Sequence, residues 1–152
     1  MEDCNCVSNP VESGCEQSED ESDYLTNEPY REAVGSLNYL PLCTRPDIAY
    51  AVSLMSQVLD KPTKRHWKMV KRIFRYLKGT KDMKLIYSRK VSQSLTGYSD
   101  ADFAGDKDSR KSHTGVVCLH NGTAISWISQ RQKCVSLSTT EAEFVAASEG
   151  TN

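Results

Sequence analysis

Three carboxylates stand where a strand and a helix could bring acids together. The run Tyr98-Ser99-Asp100-Ala101-Asp102-Phe103 reads as a strand, so Asp100 and Asp102 fall on the same side of it. Glu143 falls near the start of a helix opened by Ser138-Thr139-Thr140-Glu141-Ala142-Glu143. A carboxylate on a strand and another on a helix laid over that sheet make a hard oxygen donor set for a divalent cation. Such sites run two-metal phosphodiester hydrolysis, in which one ion activates water and the other stabilises the leaving oxygen. The same residues also read as a strand end and a helix cap. Spacing alone does not make two carboxylates a hydrolase.

The second constellation is cationic. Lys64, Lys68, Lys71, Arg72, Arg75 and Lys78 share one face of a helical stretch, and residues 61–90 hold 12 basic groups against one acid, Asp82. A stripe of this kind is often only a solvated face. Its density, however, suits the phosphate backbone of a nucleic acid, bound without base specificity and weakening steeply with salt. Other chemistry is poorly supported. His66, His113 and His120 lack metal-ligand spacing, and Ser136 and Ser138 have no nearby His–acid pair. Cys4 and Cys6 form a Cys-x-Cys pair with only Cys15 nearby, which is not a zinc spacing.

These residues need elements to hold them. Asn27-Glu28-Pro29 opens a first helix, with Asn27 as its cap and Tyr30, Ala33, Val34, Leu37 and Leu40 at helical spacing up to Pro41. A second helix follows Thr44-Arg45-Pro46-Asp47, striped by Ile48, Ala51, Val52, Met55 and Leu59. The third runs from Thr63 to Lys78 and stops at Gly79, with Trp67, Val70, Phe74 and Leu77 on its apolar face and Ile73 beside it. Beyond Gly79 the period becomes two. Short strands are expected at Lys84-Leu85-Ile86-Tyr87, at Leu95 to Phe103, and on either side of Asn121-Gly122, a hairpin turn signal. Capping boxes pair Ser138 with Glu141 or Thr140 with Glu143 at the last helix.

Composition sets the boundaries. The 152 residues have a net charge of −1, yet residues 1–29 carry nine acids and no Lys or Arg, which leaves the rest at +8. That first stretch, poor in large apolar residues, is expected to be a disordered acidic tail. The fold class read from the sequence is α+β. An acidic tail over 1–27 precedes a three-helix module over 28–90 and a sheet unit over 91–152, with about three antiparallel strands and one helix. No run approaches the roughly 18 apolar residues of a membrane span, so no membrane partner is expected. The N-terminus lacks a basic start followed by an apolar stretch, which points to an intracellular, cytoplasmic or nuclear location with reduced thiols.

The strings themselves bear a family likeness. Tyr30-Arg31-Glu32-Ala33-Val34-Gly35-Ser36-Leu37-Asn38-Tyr39-Leu40 and Thr44-Arg45-Pro46-Asp47-Ile48-Ala49-Tyr50-Ala51-Val52 resemble the end of the reverse transcriptase in Ty1/copia-type retrotransposon Pol polyproteins. His66-Trp67 and Arg75-Tyr76-Leu77-Lys78-Gly79-Thr80 continue that resemblance. Gly97-Tyr98-Ser99-Asp100-Ala101-Asp102-Phe103-Ala104-Gly105-Asp106, Arg110-Lys111-Ser112, Trp127-Ile128-Ser129 and Leu137 to Phe144 resemble the ribonuclease H domain that follows. Val7-Ser8-Asn9-Pro10-Val11-Glu12 is similar to the linker after the polymerase palm.

The resemblance implies roles. Asp100 matches the first metal-binding Asp, and Glu143, rather than Glu141, the metal-binding Glu, with Mg²⁺ as cofactor. The helices match the thumb, whose basic face tracks template and primer, so an RNA–DNA hybrid is the implied partner. Phe103 stands where the family usually has Trp, Phe144 where it has Tyr, and His113 where it has Thr. The polymerase palm and the remaining ribonuclease H acids have no counterpart in these 152 residues. The expectation is therefore a truncated ribonuclease H-like unit, inactive by itself. A nucleic-acid-binding module reused by a host and an effector or interaction protein are the rival readings.

Overall fold

The computed structural model describes residues 4–12, 24–25, 27–89, 94–106 and 108–151. Its contacts divide the chain into two units, 1–83 and 84–152.

The first unit is helical. Helix α1 spans Tyr30–Cys43, a short 3-10 turn covers Pro46–Ile48, α2 spans Ala49–Ser56 and α3 spans Lys64–Gly79. Two expectations at α1 are corrected. Its N-cap is Pro29, with no side-chain cap from Asn27. Nor does the helix end before Pro41, which lies buried inside it. Pro41 cannot donate a backbone hydrogen bond, yet Thr44 N and Arg45 N both bond the Leu40 carbonyl, at 3.0 and 2.9 Å, and close the last turn beyond it. The start of α3 follows from Thr63. Its hydroxyl accepts from His66 N, while His66 Nδ1 accepts from Thr63 N at 3.0 Å, a capping box with histidine in the usual Glu position.

The core of this unit is Tyr30, Val34, Leu37, Ile48, Ala51, Val52 and Met55 packed on Met69, Val70, Ile73 and Tyr76. The buried face of α3 is therefore rotated from the expected one. Trp67, Phe74 and Leu77 form its half-buried flank, and Met69 and Tyr76 replace them at the centre. The tail expectation is also corrected for residues 4–12, which lie in an extended path on α3, with Val7 and Val11 packed against the core. Valines every four residues supply the apolar contact that the acidic composition hid. The expectation for 1–3, 13–23 and 26 lies outside the described residues.

The second unit is a meander with a helix. Strands β1 (Leu95–Asp102), β2 (His113–His120) and β3 (Thr123–Arg131) pair antiparallel in the order β1-β2-β3. Asn121 and Gly122 turn the β2–β3 hairpin with φ of 52° and 77°, the left-handed pair such a turn needs. Residues 84–87 are not the strand expected. They run beside the hairpin instead, where Ile86 O accepts from Thr123 Oγ1 at 2.6 Å and Tyr87 donates its hydroxyl to Ala124 O at 3.0 Å. Helix α4 (Thr139–Gly150) lies on β1 and β2 through Ala142 and Ala146, both fully buried. Among the described residues, no helix is long and apolar enough to cross a membrane.

Candidate carboxylate site and basic helix face

The strand acids differ in what holds them. Asp102 opposes His113 in the ladder and packs over Gly105, where even a Cβ would collide with its carboxylate. Asp100 opposes Gly115, so no cross-strand side chain covers it. It is exposed and makes no hydrogen bond or ion pair among the described residues. Helix α4 closes on Val116, the cross-strand partner of Ser99, so the helix covers the pleat beside Asp100 and leaves that carboxylate open.

The helix acids differ in the same way. Ser138 caps α4 by accepting from Glu141 N at 3.1 Å, and Glu141 Oε2 accepts from Leu137 N at 2.7 Å. Of the two expected capping boxes, only the Ser138 half of the first forms, because Glu141 reaches back to Leu137 N and not to Ser138 N. Thr140 lies inside the helix, and Glu143, just past the first turn, is exposed without a hydrogen bond or ion pair among the described residues. Glu141 is occupied by the fold and Glu143 is not. Two carboxylates with open lone pairs are suitable oxygen donors for a hard cation. Among the described residues, however, no group of three His, Cys, Asp or Glu side chains comes together to hold one.

A buried polar network, missed in the sequence, positions α4. Gln132, 1% exposed, donates through Nε2 to Thr114 Oγ1 at 3.1 Å and to Ala142 O at 2.9 Å. Its Oε1 accepts from Ser136 Oγ at 3.1 Å, and its backbone N bonds Ser112 O at 2.9 Å. Gln132 thus ties β2 and the loop before α4 to the first turn of the helix that bears Glu143. The signal was one amide residue directly after a strand, too common to single out. Beside it, His113 is buried and contacts Ser129 Oγ at 3.0 Å. Burial pushes its imidazole below the ordinary value, against the pull of Asp102.

Asp106 organises the loop between β1 and β2. It accepts from Ser109 N and Oγ, from Asp108 N and from Arg131, the last at 2.7 Å. Burial alone would raise this carboxyl, but the bonds from Ser109 and Arg131 outweigh it and bring it down to about 2.

In the helical unit the six predicted cations do share one stripe of α3, opposite its buried face. Their surroundings divide them. Arg72 bonds Asn9 O at 3.0 Å and Glu12 at 3.3 Å, Arg75 bonds Asn5 O at 2.7 Å, and Lys78 bonds Cys4 O at 3.0 Å. Lys71 sits 5.9 Å from the Trp67 ring centre, and Lys68 makes no hydrogen bond or ion pair among the described residues. Lys64 completes the N-terminal half of the stripe.

Two of the sequence strings meet in a second network. Arg45 holds Asp47 with two bonds of 2.9 and 2.7 Å and reaches Thr80 O at 3.2 Å and Thr80 Oγ1 at 2.6 Å. Tyr76 donates to Asp47 Oδ2 at 2.8 Å, and its ring centre lies 5.6 Å from the guanidinium. Thr44-Arg45-Pro46-Asp47 and Arg75-Tyr76-Leu77-Lys78-Gly79-Thr80 are therefore two halves of one partly buried joint.

Over 135 residues, 89% of its length, the chain is 51% identical to the Retrovirus-related Pol polyprotein from transposon TNT 1-94 of Nicotiana tabacum. Over 115 residues it is 48% identical to that from transposon RE1 of Arabidopsis thaliana, covering 76% of this chain. The chain belongs to the copia-type retrotransposon Pol polyprotein family. It spans 10% of the tobacco polyprotein and 8% of the Arabidopsis one. It is also 46% identical to the Secreted RxLR effector protein 161 of Plasmopara viticola, over 84% of this chain and 89% of that one. No protein-family model matches the chain, and no solved structure does.

Proposed function

We propose that this copia-type Pol segment joins the end of a reverse transcriptase to the start of a ribonuclease H. The helical unit is then thumb-like, and the sheet unit supplies the first part of a nuclease that cleaves RNA in an RNA–DNA hybrid. The observation that supports this reading is that Asp100 on β1 and Glu143 on α4 are both exposed and make no bond among the described residues, whereas Asp102 packs over Gly105 and Glu141 bonds the start of its own helix. Asp100 and Glu143 would hold Mg²⁺, whose chemistry is to activate water and stabilise the leaving oxygen. This chain's own residues position those carboxylates: Gln132 anchors α4, and the β1–β2 ladder carries Asp100. The stripe of Lys64, Lys68, Lys71, Arg72, Arg75 and Lys78 would supply phosphate contacts.

Two carboxylates are an incomplete set, so the chain alone is expected to leave a labelled RNA–DNA hybrid intact in Mg²⁺. Fused to the following segment of the tobacco polyprotein, it is expected to cleave, and D100N or E143Q is expected to abolish cleavage. Cleavage by either variant at the parent rate would remove that residue from the site.

One comparison favours a second reading. The likeness to a secreted effector extends along nearly the whole of that protein, which suits an interaction protein derived from the element. Tagged chain recovered outside intact producing cells would support it, and strict retention inside them would count against it.

A further inference from the structure

We propose that residues 4–12 and nucleic-acid phosphates compete for the C-terminal half of the α3 stripe, so that the chain carries its own mask over Arg72, Arg75 and Lys78. The inference rests on the reading of α3 as a phosphate-binding face, and it adds the regulation of that face.

The geometry divides the stripe in two. Along the helix, Lys64 to Lys71 and Arg72 to Lys78 each extend about 10 Å. The second half is occupied. Asn5 O and Asn9 O stand where phosphate oxygens would, each accepting from a guanidinium Nε, and Cys4 O accepts from the Lys78 ammonium. Glu12 adds an anion at Arg72. Three carbonyls and a carboxylate thus imitate, along an extended backbone, the run of acceptors that a nucleic-acid strand presents. Guanidinium and ammonium groups are donors only, so the carbonyls seated on these heads compete with phosphate oxygens for the same face of the helix.

The mask is held by more than charge. Val7 and Val11 pack against the helical core, and Cys6 lies against Gly79, where an added Cβ would approach Cys6 Cβ to 3.0 Å. The chain that follows carries Glu16, Glu19, Asp20, Glu21 and Asp23 and no base before Arg31. Acidic charge tethered to the mask is attracted to a cationic face most strongly at low ionic strength. The other half of the stripe, which carries Lys64, Lys68 and Lys71, meets phosphate first, and full engagement requires the mask to lift.

The test uses the full chain and a fluorescein-labelled 20-base-pair RNA–DNA hybrid, titrated between 50 and 200 mM salt. Two variants loosen the mask by different routes: V7S/V11S removes its apolar anchors, and G79A pushes on Cys6. The parent is expected to show a slope of log K against log salt near that of about three phosphate contacts, ~−2.7. Each variant is expected to steepen towards about six contacts, ~−5.4, with affinity at 100 mM salt raised at least tenfold. Hydrogen exchange on the parent gives an independent readout, because bound hybrid is expected to speed exchange of the amides in residues 4–9. Identical slopes in parent and variants, or unchanged exchange with hybrid bound, would overturn the mask and leave phosphate binding in place. No salt-dependent binding by any of the three proteins would overturn the phosphate reading itself, and the mask with it.

Discussion

The joint between Arg45 and Asp47 makes the sharpest prediction about the helical unit. The Arg45 side chain is 10% exposed and that of Asp47 24%, and two bonds of 2.9 and 2.7 Å join them. D47A removes both acceptors and the partner of the Tyr76 hydroxyl, and leaves the guanidinium with Thr80 and the face of the Tyr76 ring. Breaking one side of a buried pair costs about 3–5 kcal/mol. Asp47 keeps a quarter of its side chain open to water, so the lower end applies, ~3 kcal/mol. Removing the guanidinium as well, in R45M/D47A, also removes the stranded charge, and the two losses are expected to overlap by ~2 kcal/mol. Urea unfolding followed by Trp67 fluorescence in a W127F background reads this unit alone. A D47A loss under about 1 kcal/mol, or a double variant equal to the sum of the singles, would refute the joint. The pH dependence gives a second check. Burial raises the Asp47 carboxyl, but the bonds from Arg45 and Tyr76 prevail and hold it below the ordinary 3.8. A depressed carboxylate stabilises the fold fully above pH 3.8 and loses that contribution as pH falls through its folded value. D47A is expected to flatten the acid limb of the helical unit.

Three further outcomes are expected. Q132A strips Thr114, Ser136 and the Ala142 carbonyl of a buried partner and is expected to cost ~2–3 kcal/mol, read by urea unfolding through Trp127 in a W67F background; an unchanged midpoint would show the network to be ornamental. Burial holds His113 below the ordinary 6.5, so its contribution is complete above pH 6.5 and lost as pH falls through the folded value; the sheet unit should melt lower at pH 5 than at pH 7.5, and H113Q should narrow that gap. D100N and E143Q break no bond among the described residues, so both are expected to keep the parent's unfolding midpoint, and a shifted midpoint would reveal a structural role for that carboxylate.

What was legible in the sequence was what periodicity and capping encode locally. The Asn121-Gly122 turn and the Ser138–Glu141 cap were each readable because the residue type answers a local backbone demand, whereas Gly79 is the last residue inside α3, without the positive φ of a left-handed terminator, and Thr80 is the cap. The misses were long-range. Pro41 reads as a stop, but the Leu40 carbonyl and the burial of the ring carry the helix past it. Trp67 outranks Met69 in any count of apolar weight, yet Met69 faces α1 and α2 because the direction of the core is set by elements far along the chain. The ordering of residues 4–12 depended on contacts across more than 60 residues, with carbonyl acceptors that composition cannot display.

The recognisable strings do two different kinds of work, and the structure separates them residue by residue. Arg45, Asp47, Tyr76 and Thr80 bond one another, and Glu141 bonds the start of its own helix, so the fold alone accounts for them. A protein that kept only the shape, whether effector or scaffold, would need those residues as much as an enzyme does. Asp100, Glu143 and Lys68 have no such employment among the described residues. Two exposed carboxylates and an ammonium gain nothing from this fold by being there, and a structural protein could replace them without loss. The case for nucleic-acid chemistry therefore rests on the residues the fold leaves idle. For the same reason, loss of hybrid cleavage in D100N or E143Q at an unchanged unfolding midpoint would report on the chemistry and not on the scaffold.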